Sequence, residues 1–181
     1  MTTISGNWPY PRAMAEVRAA HRDDVAAIVD ICTRAYAATY RDLLPESYLD
    51  RMLAEFYTAD RVAERIDPAP PGWLGYQVVV DGGRVLGMAA GGLPEPGAGE
   101  LHVIYLDPAE RGRGLGTLLL DRITAQVRER GATEMWVAVV EGNDLAVPFY
   151  EARGFTIKGK RRAYGSTEAE DVRALLLSRP I

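Results

Sequence analysis

The sequence predicts a mixed α/β domain of the α+β type, built on one largely antiparallel sheet of about seven strands with about four helices packed on it. Three observations carry that prediction. Two apolar runs, "WLGYQVVV" and "RVLGMAAGGL", flank Asp81-Gly82-Gly83, a strong hairpin signal. A strand-like "ELHVIYL" runs into the glycine turn "RGRGLG", and a helix with Leu115, Leu119, Ile123 and Val127 at i+4 steps follows it. Behind that helix come three more strand-like runs, "EMWVAVV", "FTIKGKRRAY" and "VRALLLS".

In chain order, residues 1–15 read as a flexible leader, because Pro9 and Pro11 oppose regular structure, and residues 16–181 as a single domain. "EVRAA" is a short first strand. Asp23 or Asp24 caps a helix carrying Val25, Ile28, Val29 and Cys32 toward Thr39. A second helix is expected over about residues 47–66, stopped by "DPAPPG". After the hairpin, "PEPGAG" is read as a link to "ELHVIYL". The helix beyond the glycine turn covers about residues 115–130 and stops at Gly131. "NDLAVPFYEARG" is a short helix with Asn143 or Asp144 at its start and Gly154 at its end.

Composition narrows the function. A hydrophobic content of 48% and a charged content of 25% describe an ordinary globular chain, and a net charge of -4 gives no reason to expect nucleic-acid binding. The basic run Lys158, Lys160, Arg161 and Arg162 reads as a solvated strand edge. The apolar runs are too short to span a bilayer, so no membrane partner is expected. The N-terminus lacks the basic start and apolar stretch of a secretory signal, and a lone cysteine, Cys32, fits a reducing compartment; both point to the cytoplasm. Two histidines and one cysteine, far apart, form no metal-ligand cluster.

The glycine turn carries the chemistry. Free N–H groups at a helix N-terminus, with the helix dipole behind them, favour an anion, and glycine lets a ligand approach the backbone. Arginines interleaved with these glycines point to phosphate rather than to a bare turn. No G-x-x-x-x-G-K-[ST] run exists, and G-x-G-x-x-G fails in both frames, with Thr117 and Leu119 at the last position.

These elements, in this order, resemble the GNAT superfamily of acyl-CoA-dependent N-acetyltransferases. Its [QR]-x-x-G-x-[GA] turn is matched by Arg111, Gly114 and Gly116. Its N-x-x-A-x-x-[FL]-Y-x-x-x-G-F segment is matched by Asn143, Ala146, Phe149, Tyr150, Gly154 and Phe155. The resemblance is clearest over residues 100–164. It implies a fourth strand splayed from the fifth, with Ile104, Tyr105 and Leu106 offering unpaired backbone to the pantetheine arm of acetyl-CoA. It implies that Arg111, Gly112, Arg113, Gly114, Leu115, Gly116 and Thr117 receive the pyrophosphate. Asn143 is either a contact to the cofactor or the cap of its helix. Tyr150 takes the position often used to protonate the departing thiolate. Glu100, at the start of the fourth strand, matches where some members keep a glutamate base; His102, two residues on, is the second candidate, alone or through water.

The implied reaction is direct transfer of an acetyl group to the primary amine of a small molecule, without a metal; a homodimer is left open. Tyr36, Tyr40 and Trp73 are candidate walls of the amine pocket. The C-terminal pattern is also similar to the ribosomal-protein alanine N-acetyltransferase branch, but where that branch carries a glutamate base this chain has Ala138. A non-catalytic acyl-CoA-binding module would keep the glycine turn and lose the acid and base; both Glu100 and Tyr150 are present.

Overall fold

The computed structural model describes residues 15–181. The expected leader falls almost wholly on residues 1–14, which lie outside the described residues. Seven strands form one sheet: β1 (Glu16–Ala19), β2 (Tyr76–Asp81), β3 (Arg84–Glu95), β4 (Ala98–Leu106), β5 (Glu134–Val140), β6 (Thr156–Arg162) and β7 (Arg173–Pro180). Their order across the sheet is β1-β2-β3-β4-β5-β7-β6. Every neighbouring pair is antiparallel except β4 and β5. The α-helices are α1 (Val25–Tyr40), α2 (Glu46–Phe56), α3 (Ala59–Glu64), α4 (Leu115–Arg128) and α5 (Ala146–Glu151).

The helix expected over residues 47–66 is in fact α2 and α3. Thr58 Oγ1 accepts from the Arg61 amide at 3.3 Å, so a threonine cap opens a second helix where apolar spacing alone suggested continuation. The residues read as a link, "PEPGAG", instead belong largely to strands: β3 and β4 meet at Pro96-Gly97, with Gly97 at φ 81°. The β2–β3 hairpin closes on Gly82 and Gly83, both at positive φ, the backbone a two-residue turn demands. Asp24 does not cap α1 with its carboxylate. It accepts from the His21 amide at 2.7 Å and is gripped by both Nη atoms of Arg18.

One face of the sheet buries the apolar stripe of α4 (Leu115, Leu119, Leu120, Ile123, Val127) against Leu86, Leu101, Met135, Val137 and Leu177. Tyr150 from α5 and Phe155, just ahead of β6, close this core. The other face packs Ile28 and Cys32 of α1 and Val62 of α3 against Val78, Val80 and Met88. Cys32 is fully buried there and burial raises its thiol well above the usual range, so it serves packing. No described helix is long and apolar enough to cross a membrane.

A strap ahead of β2 lies along the far end of β3, where the Leu93 amide donates to Pro71 O at 2.8 Å and the Leu74 amide to Gly91 O at 2.9 Å. A Cβ at Gly92 would sit 2.0 Å from the Gly72 carbonyl oxygen, a collision with backbone. Gly92→Ala is therefore expected to cost about 1–3 kcal/mol of stability by overpacking, read from denaturant unfolding. An unchanged midpoint would show that the strap is not fixed where the structure places it.

Candidate active site

β4 and β5 pair only where Ala98 to Leu101 face Glu134 to Val137. Beyond that point both strands continue without pairing to each other, so β4 presents free backbone groups over residues 102–106 toward the gap. A cleft of about 630 Å³ fills it, lined by Ile104, Tyr105 and Leu106 on one side and Ala138 and Val139 on the other.

At one end of the cleft lies the glycine turn. Gly112 and Gly114 both sit at φ 79°, and Gly114 is the residue from which α4 springs. Among the described residues, the amides of Gly112 through Gly116 donate to no backbone acceptor. Five consecutive free donors at a helix N-terminus form an anion-binding nest. Gly116 has a packing reason as well: a Cβ there would come within 3.2 Å of the Phe149 ring.

Arg111 lines the cleft and donates to Thr39 Oγ1 at 2.9 Å. Arg113 does not line it. It turns outward to Asp81, at 3.0 Å, and to Glu110. Glu110 also pairs with Arg84, which reaches Asp107 at 3.8 Å, and Asp107 takes the guanidinium of Arg34 from α1 at 2.9 Å. Those partners hold the carboxyls of Asp107 and Glu110 below the usual carboxylate range. The cation that replaces Arg113 at the cleft wall is Arg153, which sequence reasoning missed. Its Nε donates to Thr117 Oγ1 at 3.1 Å and its Nη1 to Phe149 O at 2.6 Å, and the guanidinium lies 3.8 Å over the Phe149 ring. The i+4 spacing from Phe149 was the available signal.

Asn143 caps its helix and also reaches the cleft wall. Its Oδ1 accepts from the amides of Leu145 and Ala146 at the start of α5, and its Nδ2 donates to the Tyr40 hydroxyl at 3.3 Å on the cleft wall. Tyr150 points into the same cleft from α5, its ring set edge-on to Phe149 and Phe155. Burial pushes its hydroxyl up, so it stays protonated, and that hydroxyl has no hydrogen-bond partner among the described residues. Of the other aromatic candidates, Tyr40 lines the cleft, Tyr36 lies buried against it, and Trp73 stacks on His102.

At the other end a bulge interrupts β4, where Ala90 pairs with Val103 and Gly91 with Leu101, leaving His102 as the extra residue. His102 lines the cleft; Glu100 stands behind it, with Nδ1 and Oε1 3.9 Å apart. Nε2 of His102 lies 2.9 Å from Gly72 O. A carbonyl can only accept, so Nε2 carries hydrogen and Nδ1 is the nitrogen free to take a proton. The imidazole of His102 beside it holds the Glu100 carboxyl below its ordinary value against the effect of burial. Burial drives the imidazole down, but Glu100 and the Gly72 carbonyl outweigh it and leave His102 above 6.5. No group of three or more potential metal ligands occurs among the described residues.

The gap between two parallel strands thus has the glycine turn at one end and a carboxylate–imidazole pair at the other. The family model described as Acetyltransferase (GNAT) family matches residues 26–155, and the chain belongs to that family. It is 45% identical over 58 residues to a mycothiol acetyltransferase of Thermobispora bispora, a match covering 32% of this chain and 20% of that protein. It is 33% identical over 81 residues to the [ribosomal protein bS18]-alanine N-acetyltransferase of Salmonella typhimurium, covering 45% of this chain and 55% of the relative. These matches thus span from a fifth to about half the length of the relatives. In fold the chain resembles the PaiA N-acetyltransferase of Thermoplasma acidophilum, solved in complex with coenzyme A, at a TM-score of 0.78 and 18% identity over 93% of this chain and 99% of that one.

Proposed function

We propose that this chain transfers the acetyl group of acetyl-CoA directly to the primary amine of a small molecule, within a ternary complex. The observation that carries this reading is the single cleft that runs from the nest, past the Tyr150 hydroxyl, to His102. The nest and the cations Arg111 and Arg153 take the pyrophosphate, and the free edge of β4 at Ile104–Leu106 takes the amides of the pantetheine arm. His102, backed by Glu100, accepts the proton that makes the amine nucleophilic. The amine nitrogen then bonds to the thioester carbon, the carbon–sulfur bond breaks, and Tyr150 gives its proton to the leaving thiolate. Support also comes from the relatives named as acetyltransferases and from the coenzyme A held by the structural neighbour. Ala138, exposed on β5 at the cleft, offers no carboxylate where a protein-alanine acetyltransferase would carry its base, so the proton path lies on β4.

The nest is tested by an isosteric pair. Asn and Asp both tolerate the left-handed backbone of Gly114, so Gly114→Asp differs from Gly114→Asn only by a negative charge at the anion site. Calorimetry is expected to show acetyl-CoA bound at least about tenfold more weakly by the Asp variant, a loss of about 1.4 kcal/mol. Equal affinities would place the pyrophosphate elsewhere.

A further inference from the structure

Two arginines, Arg65 and Arg161, stand near the Glu100–His102 pair and form no ion pair among the described residues. Arg65, just beyond α3, is nonetheless fixed: its guanidinium lies 5.2 Å over the Trp73 ring and 5.4 Å over Phe56. Trp73 in turn stacks on His102, with centroids 6.0 Å apart and planes 10° from parallel. A positive charge is thereby held one ring away from the imidazole that faces Glu100. Its presence is felt there, since Arg65 opposes protonation of His102.

Arg161 stands on the other side. The register places it with Glu100 on one face of the sheet: Glu100 lies beside Trp136, Val140 beside Ala174, and Ala174 beside Arg161. Between them that face is open at Ala138, and the charge of Arg161 helps hold the Glu100 carboxyl down. Two carboxylates of the neighbouring elements are engaged by other side chains. Glu55 accepts from the Tyr164 hydroxyl at 2.7 Å, and Glu170 is bound by Arg51 at 2.7 Å.

An acceptor bearing further positive charges, such as a polyamine, would approach two more guanidinium groups. An acceptor with a carboxylate would supply the partner they lack, in the planar geometry that arginine matches best. We infer that the acceptor is a primary amine that also carries a carboxylate, an amino-acid-like molecule whose amine faces His102 while its carboxylate is held by Arg65 and Arg161. This deepens the proposed acetyl transfer and rests on it.

The test uses the full chain with a set of L-amino acids, their carboxamides, and spermidine. Thiol release from acetyl-CoA and calorimetric binding with CoA present are both followed. The acids are expected to bind and react about 10–100-fold better than their amides, as loss of a hydrogen bond to a charged group implies, with spermidine weakest. Arg65→Gln and Arg161→Gln should each raise KM for the acids about tenfold and leave the amides unchanged, while Arg65→Lys keeps much of the preference. Amides or spermidine matching the acids would overturn the inference while leaving acetyl transfer standing. So would Gln variants that weaken acids and amides alike. Acids that bind with the expected preference but release no thiol would instead sink acetyl transfer and uphold carboxylate recognition. Failure of every acid to bind would end the inference.

Discussion

Tyr150→Phe is expected to lower kcat by about 10²-fold or more while acetyl-CoA affinity stays near that of the parent. The substitution removes one oxygen and keeps the ring that sits edge-on to Phe149 and Phe155, at 5.0 and 5.3 Å. Among the described residues the hydroxyl has no hydrogen-bond partner to lose, so stability should hardly move. Its burial keeps it protonated across the working pH range, which is what a proton donor to a thiolate requires. Steady-state rates with chemistry rate-limiting, beside calorimetry, separate the two effects. A kcat equal to that of the parent would reduce Tyr150 to a packing residue.

The second large effect is expected at Glu100. Its carboxyl lies below its ordinary range, so it is ionised at neutral pH, and a rising limb near neutrality belongs to His102. Glu100→Gln removes the charge that helps His102 hold its proton. The imidazole then titrates lower, the rising limb moves to lower pH, and kcat falls by about 10²-fold as the base weakens. His102→Gln should abolish the limb. Stability carries the same signature. A folded value above the unfolded 6.5 gives His102 a contribution present in full below that pH and lost as pH climbs through the raised value. Glu100→Gln should flatten this dependence. A limb unmoved in both variants would mean that the amine loses its proton by another path.

Much of the fold is legible in local signals. The Gly82-Gly83 turn, the stops at Gly131 and Gly154, and the i+4 leucines of α4 each act within a few residues, and each appears where the chain pattern puts it. The glycine turn is legible for the same reason, since free amides follow from a strand turning into a helix. What escapes the sequence depends on distant partners. The α2–α3 break hangs on one threonine hydroxyl that competes with helical continuation. Arg113 and Arg153 look alike as arginines near glycines. Asp81, brought up by the β2–β3 hairpin, draws the first away from the cleft, and Thr117 draws the second to it. The role of the Gly72 carbonyl, which fixes the tautomer of His102, requires the strap to be folded onto β3 before it can be seen at all.

The ion pairs that link Arg113, Glu110, Arg84, Asp107 and Arg34 give ionic strength two points of action on one measurement. Added salt screens the attraction between the nest and a phosphate, and it also loosens the partly exposed contacts that keep the nest in shape. The slope of acetyl-CoA affinity against salt concentration will therefore exceed what the ligand's own charges account for. Anyone counting phosphate contacts from that slope will count too many. An Arg113→Gln variant, which cuts the network without touching the cleft wall, should show a shallower slope, and the difference between the two slopes is the part that belongs to the loop.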